Sequence, residues 1–187
     1  MRIIAVSLTV ALMFGYAEQA VATDTPNDIE MVNGWAVSAM GSTGSCIALK
    51  AFTHRRGFEN SVFVTLNARE KNATVGFSTP EPSSLEPGAE VNLKVVFLGA
   101  GGGYDDGWGM LKFDVDVPEE TVDRNFVSRD LNKSFLDDFA KNTSIGFFYG
   151  ENIVSAFNLE GSAAAVTALR TCSFRLHGLN PNDPFLK

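Results

Sequence analysis

The chain has 187 residues, 45% of them hydrophobic, with 15 Lys and Arg against 22 Asp and Glu and a formal net charge of −7 at pH 7. That acidic balance argues against a nucleic acid or an anionic membrane surface as partner and leaves a cationic partner open. The length suits one ordinary domain with its own core, so this is not a mini-protein that depends on disulfides.

Met1 and Arg2, the apolar run from Ile3 to Phe14 and the triplet Ala20-Val21-Ala22 form the charged, hydrophobic and small-residue regions of a secretory signal. Residues 1–22 are therefore expected to be cleaved after Ala22. The apolar run, about 12 residues, falls short of the ~20 that cross a bilayer, so no membrane span is expected. No Cys follows the triplet, which gives no support to a lipid anchor. Arg2 and Glu18 leave together, the net charge is unchanged, and the mature chain is expected to be periplasmic or secreted.

Residues 23–33 are polar and turn-rich and read as a flexible leader to a single β-rich domain, residues 34–175, with a tail at 176–187. Within that domain Trp35–Met40 and Cys46–Phe52 alternate with period two around a small-residue loop, a first hairpin. Ser61–Leu66 and Ala73–Phe77 flank the charged stretch Asn67–Asn72 as a second. Thr79–Gly88 holds Pro80, Pro82 and Pro87, which lack donors, and reads as a surface connection. The clearest strand is Glu90–Leu98, with Val91, Leu93, Val95 and Phe97 on one face. After a glycine-rich loop, Leu111, Phe113, Val115 and Val117 alternate with Lys112, Asp114 and Asp116, the pattern of a sheet with one solvated face. Asp130–Asn142 carries Leu131, Phe135 and Phe139 at spacing four, which predicts a helix. Ser144–Tyr149 and Ile153–Asn158 read as the last strands, and Ser162–Cys172 as a second helix. The expected fold is mainly β, an antiparallel β-sandwich or strongly bent sheet of about eight to nine strands with two late α-helices.

Cys46 and Cys172 are an even count in an exported chain and are expected to pair as a disulfide. A catalytic Cys is not expected, because His54 and His177 stand in loop-like or tail contexts.

The loop Gly99–Gly109 fits neither a dinucleotide fingerprint, since Tyr104 stands where a third Gly belongs and a strand follows, nor a P-loop. Asp105 and Asp106 offer hard oxygens, but calcium wants about six to eight ligands and the EF-hand spacing is missing, which leaves calcium at this loop open. The loop reads as a long, flexible connection with an acidic tip. Tyr104, Asp105, Asp106 and Trp108 are then candidates for contact with a partner.

His54, Arg55 and Arg56 form a basic cluster, suited to an anionic group or simply a solvated loop, and are kept as partner-binding candidates. Neither His has a companion at ligand spacing, so no metal and no cofactor is expected. The carboxylate pairs Glu119-Glu120 and Asp137-Asp138 read as solvated charge. Ser162 lacks the Gly-x-Ser-x-Gly of a nucleophile elbow, since Ala164 follows and only His177 remains downstream. It reads instead as the N-cap of an alanine-rich helix, with Gly161 turning the chain and Cys172 tying the helix end to an early strand.

The ending Phe157-x-Leu159-x-Gly161-Ser162-x-x-Ala165-x-x-x-Leu169-x-x-Cys172, with Trp35 ahead of Cys46, resembles a pattern in small periplasmic proteins of Gram-negative bacteria. It is distantly similar to the invasion-associated locus B family. The resemblance implies an exported, mostly β protein associated with host-cell entry and implies no catalytic residues. The function expected is that of a non-enzymatic periplasmic binding or accessory protein meeting a protein or glycan partner. The alternatives are an inhibitor of a cationic exported enzyme such as lysozyme and a hydrolase using dispersed carboxylates.

Overall fold

A computed structural model describes residues 29–40, 43–53, 59–69, 71–80, 84–99, 101–105, 107–117 and 123–180. The expected signal 1–22, the basic cluster His54-Arg55-Arg56, Asp106 and the Glu119-Glu120 pair lie outside the described residues.

The expected leader is a strand at its end. β1 (Glu30–Val32) pairs antiparallel with β2 (Trp35–Met40), and the two central residues of the turn, Asn33 and Gly34, have φ of 48° and 82°. Asn-Gly is the favoured pair for a two-residue hairpin turn because both positions require positive φ. β3 (Ser45–Thr53), β4 (Glu59–Asn67) and β5 (Asn72–Thr79) continue the meander as the alternation predicts.

β6 (Glu90–Leu98) then pairs on one side with two segments of the returning chain, β7 (Tyr104–Asp105) and β8 (Met110–Asp116). The long flexible connection expected at 99–109 is therefore corrected. The turn proper is 99–103, where Gly99 N–H donates to the Gly103 carbonyl, and the chain pairs again at once. Pairing then lapses, with residues 107–109 beside Val95, whose N–H donates to the Gly109 carbonyl, before Met110 meets Lys94.

β9 (Arg124–Asn132) joins β8 to β5, a strand absent from the expected set. Leu131 belongs to it. The helix expected from residue 130 begins only at Ser134, as α1 (Ser134–Lys141), because Asp130 takes φ 60° where Arg129 and Asp130 oppose the single Thr74. β10 (Ser144–Tyr149) and β11 (Asn152–Asn158) form the last hairpin, and α2 (Ser162–Leu176) runs a turn past Cys172, into what was expected as tail.

Among the described residues all pairings are antiparallel, and ten strands, against the eight to nine expected, run in the order β1-β2-β3-β4-β5-β9-β8-β6-β10-β11, with β7 beside β6. Two layers of a sandwich are not what this order describes; it is one sheet, and it curls. Four strand spacings separate β5 from β10, roughly 19 Å in a flat sheet, yet the Phe77 and Phe147 rings stack at 4.3 Å. Seven spacings separate β3 from β11, roughly 34 Å when flat, yet Phe52 and Phe157 lie 5.5 Å apart. Phe113 and Phe126 complete the interior cluster around Phe77. Burying these rings supplies the driving force, at about 25 cal/mol for each Å² of apolar surface removed from water.

Bending has a local cause as well. Phe77 and Phe147 each follow a glycine. A Cβ on Gly76 would lie 2.2 Å from the Phe63 ring, and one on Gly146 would lie 2.8 Å from the Phe148 ring. In both strands a neighbouring ring lies against the bare glycine backbone while the next ring is buried in the core, and glycines covered by aromatic side chains are where sheets are free to bend.

The helices close the inner side. α2 packs on β2, β3 and β4, with Ala165, Val166 and Leu169 buried. Cys46 and Cys172 are joined across it, Cα atoms 6.1 Å apart, the staple expected from the sequence. Ser173 Oγ donates to the Leu66 carbonyl at 3.0 Å and accepts from Ala68 N–H at 2.8 Å, which pins the far end of the helix to the β4 to β5 turn. Trp35 Nε1 and Lys50 Nζ both donate to the Glu160 carbonyl, at 3.0 and 2.9 Å, fastening the chain that enters α2 to β2 and β3. Among the described residues no helix is long and apolar enough to cross a membrane.

Replacing Cys46 and Cys172 together by Ser opens a loop of 126 residues. Loop-closure entropy sets an upper figure on the order of 4 to 5 kcal/mol for the loss of stability, measured by urea unfolding of the double variant against the oxidised parent. Gly76→Ala, which also meets the Phe126 carbonyl at 2.8 Å, is expected to lose about 1–3 kcal/mol in the same assay by overpacking. Gly101→Ala, with open space around it, is expected to stay within about 0.5 kcal/mol of the parent.

Candidate functional site

Of the partner-binding candidates, Tyr104, Asp105 and Trp108 fall within the described residues. Trp108 is not an exposed contact. Its indole meets Phe135 of α1 edge-on at 4.9 Å, and its Nε1 donates to Asp138 Oδ2 at 2.9 Å. Trp108 therefore anchors α1 to the sheet. The backbones of Tyr104 and Asp105 are committed to β6.

The acidic pair on α1 is also engaged. Asp137 accepts from Arg170 on α2 at 2.6 Å, and Asp138 holds Trp108 with Lys141 3.6 Å away. Lys112, on β8, has its pKa raised by its hydrogen bond to Glu90 at 2.5 Å, slightly opposed by desolvation and aided by the charges of Glu90 and Asp114. It has no part in the pocket described below.

Ser162 corrects the expected cap. The N-cap position of α2 is Gly161, with φ 85° and no side-chain cap, and Ser162 is the first helical residue. Its buried hydroxyl donates to the Phe139 carbonyl at 2.9 Å. Phe139 lies in the last turn of α1, where carbonyls lack intrahelical partners, so Ser162 closes the end of the preceding helix. Glycine is required before it: a Cβ on Gly161 would lie 2.6 Å from the Asn33 carbonyl.

The concave feature lies at the end of the sheet where β6 and β11 begin, away from the residues that lead into α2. It is a cavity of about 410 Å³, within the ~300–1,000 Å³ range of small-molecule sites. Its floor is Leu93 and Phe126, both fully buried, with Val91 beside them. Leu85 overhangs from the proline-rich connection. That loop is held in place because Arg124 Nε donates to the Leu85 carbonyl at 3.1 Å and Gly88 N–H donates to the Val115 carbonyl at 2.8 Å.

The β10 to β11 hairpin forms the opposite wall. Phe147 pairs with Ser155 and Phe148 with Ile153, so Val154 is an extra residue, and this bulge places Val154, Ile153 and Asn152 together at the cavity with Tyr149. Bulges commonly re-aim side chains in this way beside binding sites. Tyr149 and Ile153 are 63% and 59% exposed, unusual for large apolar side chains, and both stand at the rim. Ser84 and Asn152 add neutral polar groups, and among the described residues that line the cavity none is an acid or a base.

The sequence marks Val91 and Leu93 as strand residues, and none of the pocket residues as a functional candidate. The available signals were weak: Leu85 as the one large aliphatic residue among prolines, and Tyr149 and Ile153 bracketing a polar turn.

No protein-family model, curated protein or solved structure matches this chain.

Ser162→Ala is expected to lose about 1–3 kcal/mol by orphaning the Phe139 carbonyl. Ser162→Asp distinguishes the two roles. An N-cap tolerates Asp, whereas an ionised carboxylate has no proton to give the carbonyl, so urea unfolding is expected to show Asp at least as destabilising as Ala.

Proposed function

We propose that this chain is a non-enzymatic, exported binding protein whose binding site is the apolar cavity at the open end of the rolled sheet. The observation that carries the proposal is the combination of a buried apolar floor, Leu93 and Phe126, with an exposed apolar rim, Tyr149 and Ile153. A cleft that is mostly apolar with a few polar groups at its edge is the usual form of a small-molecule site, and the mouths of rolled or closed sheets are a preferred place for it. The secretory signal expected at 1–22 and the disulfide both support an extracytoplasmic location. So does the resemblance of residues 157–172 to small periplasmic proteins.

This reading moves the binding site away from the 99–109 loop. Trp108 is occupied with Asp138 and Phe135, which weakens the case for a partner docking there. Asp137 and Asp138, the described carboxylate pair, are held by Arg170, Trp108 and Lys141, which gives no support to a hydrolase built on them.

An uncharged naphthylamine dye, dark in water and bright in apolar surroundings, is expected to bind the full chain and to be displaced by apolar competitors. Ile153→Glu puts a charge on the rim at a 59% exposed position, so unfolding by urea should be unchanged while dye affinity falls about tenfold, close to 1.4 kcal/mol. Undiminished dye binding in that variant would place the site elsewhere.

A further inference from the structure

The chemistry of the cavity lining narrows the ligand, an inference that rests on the pocket being the binding site. The depth of the cavity is hydrocarbon and aromatic ring: Leu93, Phe126 and Val91. A carboxylate, phosphate or ammonium carried to that floor would lose its hydration with no counter-charge among the described lining residues, and burying an unpaired ion is strongly unfavourable. Arg124, the cation whose Nε donates to the Leu85 carbonyl behind the overhanging loop, is not among the lining residues.

Polar atoms are confined to the edge, in Ser84, Asn152 and Tyr149, and all three side chains are hydrogen-bonding groups without charge at neutral pH. Size constrains the ligand further. At about 30 Å³ per water in the liquid, 410 Å³ holds roughly a dozen or so water volumes, room for one chain or a small ring system. A glycan is a poor match, since its many hydroxyls would be left unpaired against the apolar floor.

We infer that the cavity takes an uncharged amphiphile, a single apolar chain or small ring system whose body lies on Leu93 and Phe126 and whose one neutral polar end, a hydroxyl, ester or amide, meets Asn152, Tyr149 and Ser84 at the rim. The apolar body supplies affinity through desolvation of the floor. The rim groups select a neutral head, because a hydroxyl both donates to and accepts from them whereas a carboxylate only accepts and keeps its charge half-desolvated.

Decanol and decanoate share the same chain and differ at the head alone. Displacement of the uncharged naphthylamine dye from the full, disulfide-bonded chain at pH 8, where decanoate is ionised, is expected to require about tenfold less decanol than decanoate. Ile153→Lys adds a cation at the exposed rim without touching the floor and is expected to narrow that gap about threefold by favouring decanoate. Equal affinities, or a preference for decanoate, would overturn the neutral-head assignment while leaving the pocket as the binding site. If folded protein bound neither the dye nor either competitor, the pocket reading itself would fall.

Discussion

Phe77 and Phe147 belong to strands four positions apart in the sheet and yet stack at 4.3 Å. A flat sheet would leave the rings of β5, β8, β9, β10 and β11 facing water on one side, with no second sheet to cover them. Curling is what removes them from solvent, and each strand of the contacting pair carries a glycine just before its ring, covered by Phe63 or Phe148. The bend, the aromatic interior and the bare backbone at Gly76 and Gly146 are one device. Antiparallel sheets curve where bulges and glycines permit it, and here β9 and β11 carry bulges at Asp130 and Val154.

Curling brings the early strands β2 and β3 to the last helix. β2 and β3 come to lie near the segment entering α2, and the contact is fixed by two donors on one carbonyl, by the disulfide and by the Ser173 clasp on the β4 to β5 turn. α1 is tied in separately, through Trp108 from the residues just before β8 and through Ser162 from α2. Several side chains that look chemical in isolation are spent in this way. A buried serine hydroxyl, a loop tryptophan and an acidic pair all serve helix placement, because each donor or charge removed from water needs a partner and the packed helices supply one.

The opposite end of the sheet has no such cover from the helices. The same curl that buries Phe126 leaves its edge as the floor of a cavity, bounded by the proline-rich connection on one side and the last hairpin on the other. A bulge that helps the sheet bend also sets Ile153 and Val154 at the cavity, so structure and proposed function share a cause.

The sequence by itself determined the strands with clean alternation, the alanine-rich helix and the pairing of two cysteines. Those signals are local or compositional: period two in Glu90–Leu98, helix propensity after Gly161, and an even cysteine count. Asn33-Gly34 was a legible turn signal as well, passed over because the three residues before it are too few to show a period. Leu131 misled because its spacing to Phe135 and Phe139 mimics a helical face, while its true setting depends on a bulge that only pairing with β5 creates. Tertiary structure alone decided the curl, the destination of Ser162 and Trp108, and the cavity. Each of these depends on which residues distant in the chain meet once the aromatic face has left water, and no spacing along one strand records that encounter.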